Sequence, residues 1–478
     1  MNRRHFLSMP GAAAIAAAIK VRPNFVFILA DDLGWRDFAC YGNRLHQTPN
    51  IDAAAREGLR FTDAYAACPV CSPTRASILT GKTPGLLHLT DWIPGRKRHP
   101  TSPIVTPDFE QQLPLKEVTL AEALKPLGYR TASIGKWHLG GQGFLPTDQG
   151  FDVNVGGDQR GSTPSYFGPW NTPNMPPSTK DDYITEVLTS EAEKFIEQSA
   201  KQPFFLYLPH FAVHTPLQAR PAAIDKYKTR IGDKDFPNAT YAAMVEAFDT
   251  SVGRIRNTLA RLGLKDNTVL VIFSDNGGLR YEGKSKHAVT DNAPLRAGKG
   301  HLYEGGIREP LIMCGPGVTR KGQTESTPVA SIDFFPTLLE MAGATRPAAG
   351  SIEGISFAPL LKGGPAPKRD ALYWHYPHYS NQGGAPGGAI RSGDWKLIEF
   401  YEDSRLELYN VKDDIGETRN LVLLEPAIAK KLQARLAAWR KQVNASMPVK
   451  NPGYDPATAD QGLTGQEKPT PPAKLKAG

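Results

Sequence analysis

The sequence predicts an α/β fold built on one large, mostly parallel sheet that is flanked by helices. Apolar runs at residues 24–30, 129–134, 203–208 and 268–273 are typical of strands, and the unbroken run at 24–30 indicates a strand buried on both faces. Helical patterns alternate with these runs, as in parallel sheets. Polar residues follow each run, and ligands bind outside the carboxyl ends of such strands. We therefore expect the functional site at that edge of the sheet.

The other elements of this main domain follow from capping signals and periodicity. Residues 48–58 have the pattern of a capped helix, and a strand at 60–65 leads into a helix that begins near Cys71. Further helices are predicted at 119–127, 183–198 and 241–262. The Gly- and Pro-rich segment 141–180 predicts a long structured loop.

The pattern changes after residue 364. Short strand candidates separated by turns predict a small antiparallel sheet, and they lie at 372–376, 388–391, 395–400 and 406–409. A helix with an apolar stripe begins at Pro426 and is expected to pack on this sheet. The polar, Pro-rich end predicts a mobile tail. We expect a main domain at 21–364, a C-terminal subdomain at 365–447 and a tail at 448–478.

Residues 1–20 have the pattern of an export signal. Arg3 and Arg4 precede a short, weakly apolar, Ala-rich run that is too short to span a membrane. The segment 3–7, Arg-Arg-His-Phe-Leu, resembles a twin-arginine signal, which exports folded proteins. The alternative is an uncleaved, disordered tail. We expect an exported bacterial protein, periplasmic or extracellular, with no membrane span.

The charge balance of the chain is mildly basic. The 478 residues include 56 Lys and Arg against 48 Asp and Glu, which gives a formal net charge of +8. A basic balance favours polyanionic partners such as nucleic acid, an anionic membrane or a sulfated glycan. Solubility alone is the simpler explanation for so small a charge on so long a chain. We expect no nucleic-acid partner.

The stretch around Cys71 combines a helix start with anion-binding chemistry. Pro73 suits the first turn of a helix and Gly81 the position just past its end. Cys71 would then lie at the helix N-terminus, where free N–H groups favour an anion, with Arg75 one turn further along the same face. The alternative is that Cys68 and Cys71 form a redox pair or half of a zinc site. Only four cysteines are present and no second pair completes a zinc site.

Hard oxygen ligands follow two of the predicted buried strands. Asp31 and Asp32 follow the first strand, and Asp275 and Asn276 follow the strand at 268–273. Three carboxylates and an amide suit Ca²⁺ or Mg²⁺ rather than a thiophilic metal. A single Asp-Asp pair after a strand is more often a turn or cap. Together with the Cys71 stretch, the metal-site interpretation is the stronger one.

The run Cys71-x-Pro-x-Arg75 followed by Thr80-Gly81 resembles the signature of the type I sulfatases, and the resemblance extends over about residues 22–445. It implies an alkaline-phosphatase-like fold with a small C-terminal subdomain. It also implies that a maturase converts Cys71 to formylglycine (3-oxoalanine), whose hydrate attacks the sulfate ester. The blocks 135–140 and 294–308 look like further motifs of the family. The expected activity is hydrolysis of sulfuric esters.

The resemblance also implies a role for each matching residue. The cation would be one Ca²⁺ per chain, held by Asp31, Asp32, Asp275, Asn276 and the modified Cys71. Asp275 would also take the proton of the hydrate, and Arg75 would offset the charge of the ester. The remaining matches are Lys136 and Lys299 as sulfate-binding cations, His138 as the partner of a formylglycine hydroxyl, and His214 as a sulfate-binding residue. His214 or Lys299 would protonate the leaving alcohol.

Some positions stay open at this stage. The family has a further polar sulfate contact within 141–170, and Asp158, Ser162 and Ser165 are all candidates. Taken alone, each Lys or His of these motifs is more often a solvated or structural residue. The motif blocks are long and follow the order of the family, and this favours a catalytic role for the matching residues. The remaining histidines His210, His287 and His301 match no motif, and we expect them to be structural.

The substrate class is less clear from the sequence than the reaction. The motif blocks look more like bacterial carbohydrate sulfatases of the N-acetylgalactosamine-6-sulfatase type than like lipid sulfatases, so a sulfated carbohydrate or an aryl sulfate is the expected substrate. The basic loop with Arg96, Lys97 and Arg98 is expected at the mouth of the cleft, with a solvated surface as the alternative. Two rival functions remain: a phosphoesterase or phosphonate hydrolase of the same superfamily, and an inert glycan-binding protein with unmodified Cys71.

Overall fold

The computed structural model describes residues 22–97, 100–170, 172, 174–231, 238–281, 288–344 and 352–458. The predicted export signal at 1–20 and the end of the predicted tail, 459–478, lie outside these residues. The described residues form the following strands: β1 (Asn24–Ala30), β2 (Leu59–Tyr65), β3 (Ile104–Val105), β4 (Arg130–Ile134), β5 (Val153–Val155), β6 (Phe204–Pro209), β7 (Thr268–Ser274), β8 (Arg308–Cys314), β9 (Gln323–Glu325), β10 (Val329–Ala330), β11 (Leu372–Tyr376), β12 (Gly387–Ser392), β13 (Trp395–Phe400), β14 (Leu406–Asn410) and β15 (Val449–Lys450).

The same residues form helices of very different lengths. They are α1 (Pro49–Glu57), α2 (Cys71–Thr80), α3 (Pro84–Leu87), α4 (Leu120–Leu124), α5 (Ile184–Gln198), α6 (Pro221–Ile231), α7 (Ala239–Arg261), α8 (Glu304–Ile307), α9 (Phe334–Met341), α10 (Ala358–Leu361) and α11 (Pro426–Gln442). Within the described ranges, no helix is both long and apolar enough to cross a membrane.

The large sheet is mixed but mostly parallel, as predicted. Its strand order is β10-β2-β8-β7-β1-β6-β4-β5, and β9 pairs with the start of β2. Strand β1 runs parallel to both β6 and β7, whereas β8 runs antiparallel to its neighbours β7 and β2. Strand β8 and helix α6 were not predicted. The carboxyl ends of β1, β4, β6 and β7 meet at one edge.

The central strands are apolar along their whole length because both faces of the sheet are covered. Along β1, Val26 and Ile28 face one core, in which α5 and α7 pack, while Phe25 and Phe27 face the other, which contains α2 and α9. Every residue of β1, β6 and β7 is buried. This alternation explains why the sequence shows an unbroken apolar run instead of a two-residue period.

The C-terminal residues form the predicted small antiparallel sheet, in the order β11-β12-β13-β14. Helix α11 packs on one face through Leu432 and Leu436. The other face shares a core with the segment before α2, because Trp374 packs with Cys68 and Val70. The predicted division at residues 364 and 365 therefore separates two units that share a hydrophobic core next to Cys71.

The first part of the predicted tail is packed against the rest of the chain. Strand β15 pairs antiparallel with β3, and the Asn451 amide donates to the carbonyls of Pro100 and Ser102, each at 2.8 Å. The tail boundary at residue 448 therefore lies inside the packed chain, which is a correction to the prediction. The polar composition of this stretch concealed the pairing, since two-residue strands carry no readable period.

Candidate active site

Four strand ends bring the predicted site residues to one edge of the sheet. Asp31 and Asp32 follow β1, and Asp275 and Asn276 follow β7, its neighbour on one side. On the other side of β1, the Asp31 N–H donates to the Ala212 carbonyl at 2.9 Å, which ties the β1 end to the loop after β6. These residues are buried, so their polar atoms must find partners within the site.

Helix α2 presents Cys71 at its N-terminus, as predicted. The helix begins at Cys71 and ends at Thr80. The next residue, Gly81, has a left-handed backbone (φ 70°) and donates its N–H to Ser77 O at 2.9 Å. The loop before the helix is held by Thr74, whose hydroxyl donates to Cys68 O at 3.0 Å. Every residue of α2 is buried, and burial raises the pKa of the Cys71 thiol although Lys136 and Lys299 oppose that rise. The thiol itself is therefore a poor nucleophile at neutral pH.

Arg75 joins the helix to the carboxylates. Its Nε donates to Asp275 Oδ2 at 2.8 Å, Nη2 lies 2.8 Å from the same oxygen, and Nη1 donates to Lys136 O at 2.8 Å. Burial opposes the guanidinium charge, but Asp275 and Asp31 outweigh it and raise the pKa of Arg75 above its usual value. Arg75 is thus a permanent buried cation that orients Asp275.

Asp31 and Lys136 form a fully buried pair. The Lys136 Nζ lies 2.7 Å from Asp31 Oδ2, and neither side chain is exposed to solvent. The β4 end is brought close by Gly135, where a Cβ would lie 2.0 Å from Pro209 O. Burial, with repulsion from Asp275, raises the pKa of Asp31 to about 7 against the pull of Lys136 and Arg75.

Asp32 is the centre of a second group of contacts. Lys299 Nζ lies 2.7 Å from Asp32 Oδ2, the Asn276 amide donates to Oδ1 at 2.8 Å, and His214 Nε2 lies 3.6 Å from Oδ2. Burial opposes ionisation of Asp32, but Lys299 and His214 outweigh it and lower its pKa. Burial, reinforced by Lys299, lowers the pKa of His214 to about 3, so this ring is neutral at pH 7. All the predicted cations thus lie around the two carboxylates that follow β1.

His138 has one ring nitrogen engaged and one without a partner. Its Nε2 lies 2.5 Å from the Ile93 carbonyl, which can only accept, so Nε2 carries the proton. The other nitrogen, Nδ1, is buried with no hydrogen-bond partner. Burial and Lys136 lower the pKa of His138 well below its usual value. Nδ1 is therefore a neutral acceptor. Gly161 leaves room for the ring, since a Cβ there would lie 2.4 Å from His138 Cε1.

The donor set fits a hard divalent cation. Ligand atoms of Asp31, Asp275 and Cys71 all lie within 4.8 Å of one another, and so do those of Asp31, Asp32 and His214. Asp31 Oδ1 and Asn276 Oδ1 are buried without a hydrogen-bond partner, which is costly unless a cation or another donor engages them. Oxygen atoms of carboxylates and an amide are the ligands that Ca²⁺ and Mg²⁺ prefer.

A cavity of about 740 Å³ opens above these residues. Cys71, His138, His214 and Lys299 all line it. Its walls also include polar residues that the sequence did not single out, namely Gln159, Arg160, Asn381 and Gln382. The first two belong to the Gly-rich loop and the last two to the C-terminal subdomain. The cavity is far larger than a sulfate group, so it has room for the rest of an ester.

Comparisons with known proteins agree with this geometry. The family model described as Sulfatase matches residues 23–344. The chain belongs to the sulfatase family. A second model, N-sulphoglucosamine sulphohydrolase, C-terminal, matches residues 297–442. A protein named Sulfatase from Formosa agariphila is 33% identical over 89% of this chain and 90% of its own length. The N-acetylgalactosamine-6-sulfatase of Canis lupus familiaris is 33% identical over 78% of this chain and 72% of its own length.

A comparison with solved structures supports the same family and fold. The crystal structure of Ps i-CgsB in complex with k-i-k-neocarrahexaose superposes with a TM-score of 0.76 at 30% identity, covering 91% of this chain and 94% of that one. The predicted alkaline-phosphatase-like fold and the predicted family are thus confirmed. The chain is a sulfuric ester hydrolase.

Two expectations about the sulfatase site are refined by the structure. Of the three candidates for a further sulfate contact, Ser162 lines the cavity, whereas Asp158 is paired with the Arg160 guanidinium and Ser165 donates to Gln218 at 3.1 Å. His210 is structural in the described fold, since its Nε2 lies 2.9 Å from the Ser251 hydroxyl. His287 lies outside the described residues.

The other two refinements concern Cys68 and the basic loop. Cys68 and Cys71 are both buried free thiols, so no disulfide joins them in this structure. Arg96 and Lys97 line a second cavity beside the first and not the mouth above Cys71, which corrects the prediction. Arg98 lies outside the described residues. The error arose because the loop turns away after Pro94, a position that lines both cavities.

Proposed function

We propose that this sulfatase cleaves sulfate esters of carbohydrates with a nucleophile made from Cys71 and with a bound Ca²⁺. The observation that carries the proposal is the position of Cys71. It begins a buried helix at the base of a 740 Å³ cavity, among the carboxylates after β1 and β7 and the cations Lys136 and Lys299. A buried, protonated thiol has no evident use there, whereas a formylglycine hydrate would supply a hydroxyl nucleophile at neutral pH.

The cations of the chain explain how an anionic ester is held. Lys299 and His214 line the cavity, and Arg75 and Lys136 lie beneath it. Arg75, Lys136 and Lys299 are basic side chains, so they offset the negative charge of the sulfate before any bond changes. We assign sulfate binding to Lys136, Lys299 and His214, with Arg75 orienting Asp275. We also assign to Ser162, which lines the cavity, a polar contact with the ester.

Two neutral histidines are suited to moving protons. His138 Nδ1 is an unprotonated, buried acceptor, and we assign it to hold or remove the proton of a hydroxyl at position 71. His214 Nδ1 lies 2.7 Å from the Thr215 carbonyl, so the neutral ring has its free lone pair on Nε2, towards the cavity. An anionic ester beside this ring raises its pKa, which favours proton uptake and then donation to the leaving alcohol.

The proposed cation site comprises Asp31, Asp32, Asp275 and Asn276 with the modified residue at position 71. When bound there, Ca²⁺ would supply charge stabilisation and favour ionisation of a hydroxyl ligand. The contribution of the chain is to hold the carboxylates in place through Lys136, Lys299 and Arg75. Asp275 also accepts the Asp32 N–H at 3.2 Å, which fixes the two strand ends relative to each other.

A carbohydrate is the substrate class that we favour. The relatives named above include an N-acetylgalactosamine-6-sulfatase and a structure that contains an oligosaccharide. The cavity here is lined by amides, hydroxyls and the Trp92 ring, a mixture that suits the polar edges and apolar faces of sugars. We also propose that the protein is exported and that a maturase modifies Cys71.

The test compares Cys71→Ala with the matched variant Cys68→Ala, both produced in a host that has the maturase. We expect Cys71→Ala to lose hydrolysis of 4-nitrophenyl sulfate by at least a thousandfold, and Cys68→Ala to keep most of it. Peptide mass spectrometry of the wild type should show a mass at Cys71 about 18 Da below that of the thiol. An unmodified thiol with full activity would refute the proposal, and equal losses in both variants would indicate a functional cysteine pair.

Relative turnover of two esters separates the phosphoesterase alternative. We expect kcat/KM for 4-nitrophenyl sulfate to exceed that for 4-nitrophenyl phosphate, because the chain belongs to the sulfatase family. A clear preference for the phosphate or for a phosphonate would favour the rival function. An unmodified Cys71 thiol in protein from the native host, together with no turnover of any ester, would favour the inert glycan-binding alternative.

A further inference from the structure

A second cavity adjoins the active-site cavity and shares a wall with it. Its volume is about 670 Å³, and Pro94 lines both cavities. On the other side of the wall, Tyr379 lines the second cavity and the next residue, Ser380, lines the first. The wall is linked to the reacting centre because the Ile93 carbonyl accepts from His138. A substrate that fills the active site and extends past Pro94 would enter the second cavity.

The second cavity combines basic groups with aromatic rings. Arg96 is held over the Tyr379 ring, with 6.0 Å between the guanidinium carbon and the ring centre, and its Nη1 donates to Ser380 O at 3.4 Å. Lys97 beside it is exposed. Phe109 and His378 pack edge to face at 5.1 Å between ring centres. This combination suits a ring with apolar faces that carries a negative group.

Two acidic residues line the cavity, Asp91 and Asp108, and of these Asp108 is exposed. Asp91 is buried, and its Oδ1 accepts from the Trp92 N–H at 2.9 Å and the Tyr376 hydroxyl at 3.1 Å. Burial raises the pKa of Asp91 to about 7 despite these bonds, so at neutral pH much of it is uncharged. Asp108 already has an interaction partner. Arg96 and Lys97 therefore contribute two cations to the cavity against this one exposed carboxylate, which leaves a positive balance.

The chain builds this cavity from three distant segments. The Arg96 loop forms one wall, the loop that contains Tyr379 in the C-terminal subdomain forms another, and Asn451 closes a third. Asn451 is held by the Pro100 and Ser102 carbonyls, and the β3–β15 pair lies directly beside it. Because segments far apart in the sequence form its walls, the cavity is part of the tertiary fold and is not a gap within one surface loop.

We propose that this cavity binds an acidic sugar residue, carrying a carboxylate or sulfate, next to the sugar whose sulfate ester is cleaved. The inference rests on the proposed function, because it extends the same bound substrate by one ring. It makes the enzyme selective for oligosaccharides over small aryl sulfates. The selectivity comes from binding remote from the reacting sulfur, so it appears mainly in KM.

The test uses the double variant Arg96→Ala/Lys97→Ala and the matched control Lys228→Ala/Arg230→Ala on α6. The control removes one Lys and one Arg that line neither cavity. The substrates are 4-nitrophenyl sulfate and a panel of carrageenan, chondroitin sulfate and heparan sulfate oligosaccharides. We expect the ratio of KM for the best oligosaccharide to KM for the aryl sulfate to rise about tenfold in the double variant. The control should keep the wild-type ratio. Salt at 0.5 M should reduce the difference, since exposed charges are screened.

Two results would overturn the inference while leaving sulfate ester hydrolysis at Cys71 intact. One is an unchanged KM ratio in the double variant, and the other is a wild-type enzyme that turns over no oligosaccharide better than the aryl sulfate. A wild-type enzyme that does not hydrolyse the aryl sulfate at all would instead contradict the proposed function. If the double variant fails to fold, Lys97→Glu serves in its place, because the Lys97 side chain is exposed and should not be needed for folding.

Discussion

Replacing Lys396 by Met should strongly destabilise the protein, because this buried cation joins the C-terminal sheet to the segment that contains Lys299. Lys396 has no exposed surface, and its Nζ lies 2.9 Å from Glu304 Oε1 and 2.9 Å from Glu417 Oε1. Glu304 begins α8, five residues after Lys299. The carboxylates share this single ammonium, while the Tyr65 hydroxyl donates to Glu304 at 2.7 Å and the Glu304 N–H donates to Glu417 at 2.7 Å.

The expected loss follows from leaving two buried carboxylates without their shared cation. Removing one partner of a buried ion pair costs about 3–5 kcal/mol of unfolding free energy. Methionine has almost the length of lysine, so little of this loss comes from a cavity.

The loss of stability in Lys396→Met should also depend on pH. Burial raises the pKa of Glu417 to about 7, whereas Lys396 and Arg308 outweigh burial and lower the pKa of Glu304 to about 2. Without Lys396, Glu417 stays protonated to higher pH, so the variant should lose more stability at pH 8 than at pH 5.5.

The assay is denaturant unfolding of the wild type, Lys396→Met and the double variant Lys396→Met/Glu417→Gln. The second change removes one of the facing charges but keeps an acceptor for the Glu304 N–H, so it should restore at least about 1 kcal/mol at pH 8. Lys430→Met on the exposed face of α11 serves as the control and should change stability by less than about 0.5 kcal/mol. A loss below about 1 kcal/mol for Lys396→Met, or no recovery in the double variant, would refute the reasoning.

Other predictions test the site and its surroundings. Gly161→Ala should lower kcat at least tenfold with little change in melting temperature, because the added methyl group displaces the His138 ring; unchanged kinetics would contradict this. Arg75→Lys should lower kcat, since an ammonium cannot contact Asp275 and the Lys136 carbonyl together as the guanidinium does. Chelation should lower the melting temperature and activity, and Ca²⁺ should restore both; full activity with no bound metal by elemental analysis would refute the cation site. A buried carboxyl group with a raised pKa destabilises the fold as the pH rises towards that pKa, because the group must then either ionise while buried or keep its proton. The free energy of unfolding of Asp91→Asn should therefore equal that of the wild type at pH 4 and exceed it at pH 8 by up to about 4 kcal/mol. Denaturant unfolding at the two pH values measures this difference. Equal pH profiles would contradict that prediction.

The arrangement of the sheet and the convergence of Asp31 and Asp275 could be predicted because they depend on local pattern. A strand buried on both faces produces an unbroken apolar run, and its carboxyl end is visible where the run stops. Strand β8 is also buried along its whole length, but it begins with Arg308 and Glu309 and so lacks an unbroken apolar run. Its antiparallel direction depends on its neighbours β2 and β7, which no local pattern encodes. Helix α6 was missed because most of its surface is exposed, with only Tyr227 buried. The apolar stripe that would indicate a helix in the sequence is therefore narrow.

The positions of the predicted site residues are set by their neighbours in the sequence, whereas the positions of the missed residues are set by contacts with remote parts of the chain. Cys71, Arg75 and Lys136 lie in motifs directly after a strand or at a helix start, so their sequence neighbours fix where they point. Asn381 and Gln382 reach the cavity only because the C-terminal subdomain shares a core with the segment before α2. That contact joins residues about 300 positions apart, and loops with so little periodicity give no sign of what they will contact.

The charges at the centre of the site explain why cation and substrate should bind together. Asp31 is paired with Lys136, Asp32 with Lys299 and Asp275 with Arg75, so three carboxylates face three cations and the group is neutral as a whole. A divalent cation held by these carboxylates would release part of the positive charge of Lys299 and Lys136 towards the cavity. An anionic ester would then offset the excess. On the proposed mechanism, Lys136 and Lys299 would therefore have two roles: they hold Asp31 and Asp32 in place, and they would bind the sulfate once the cation is present.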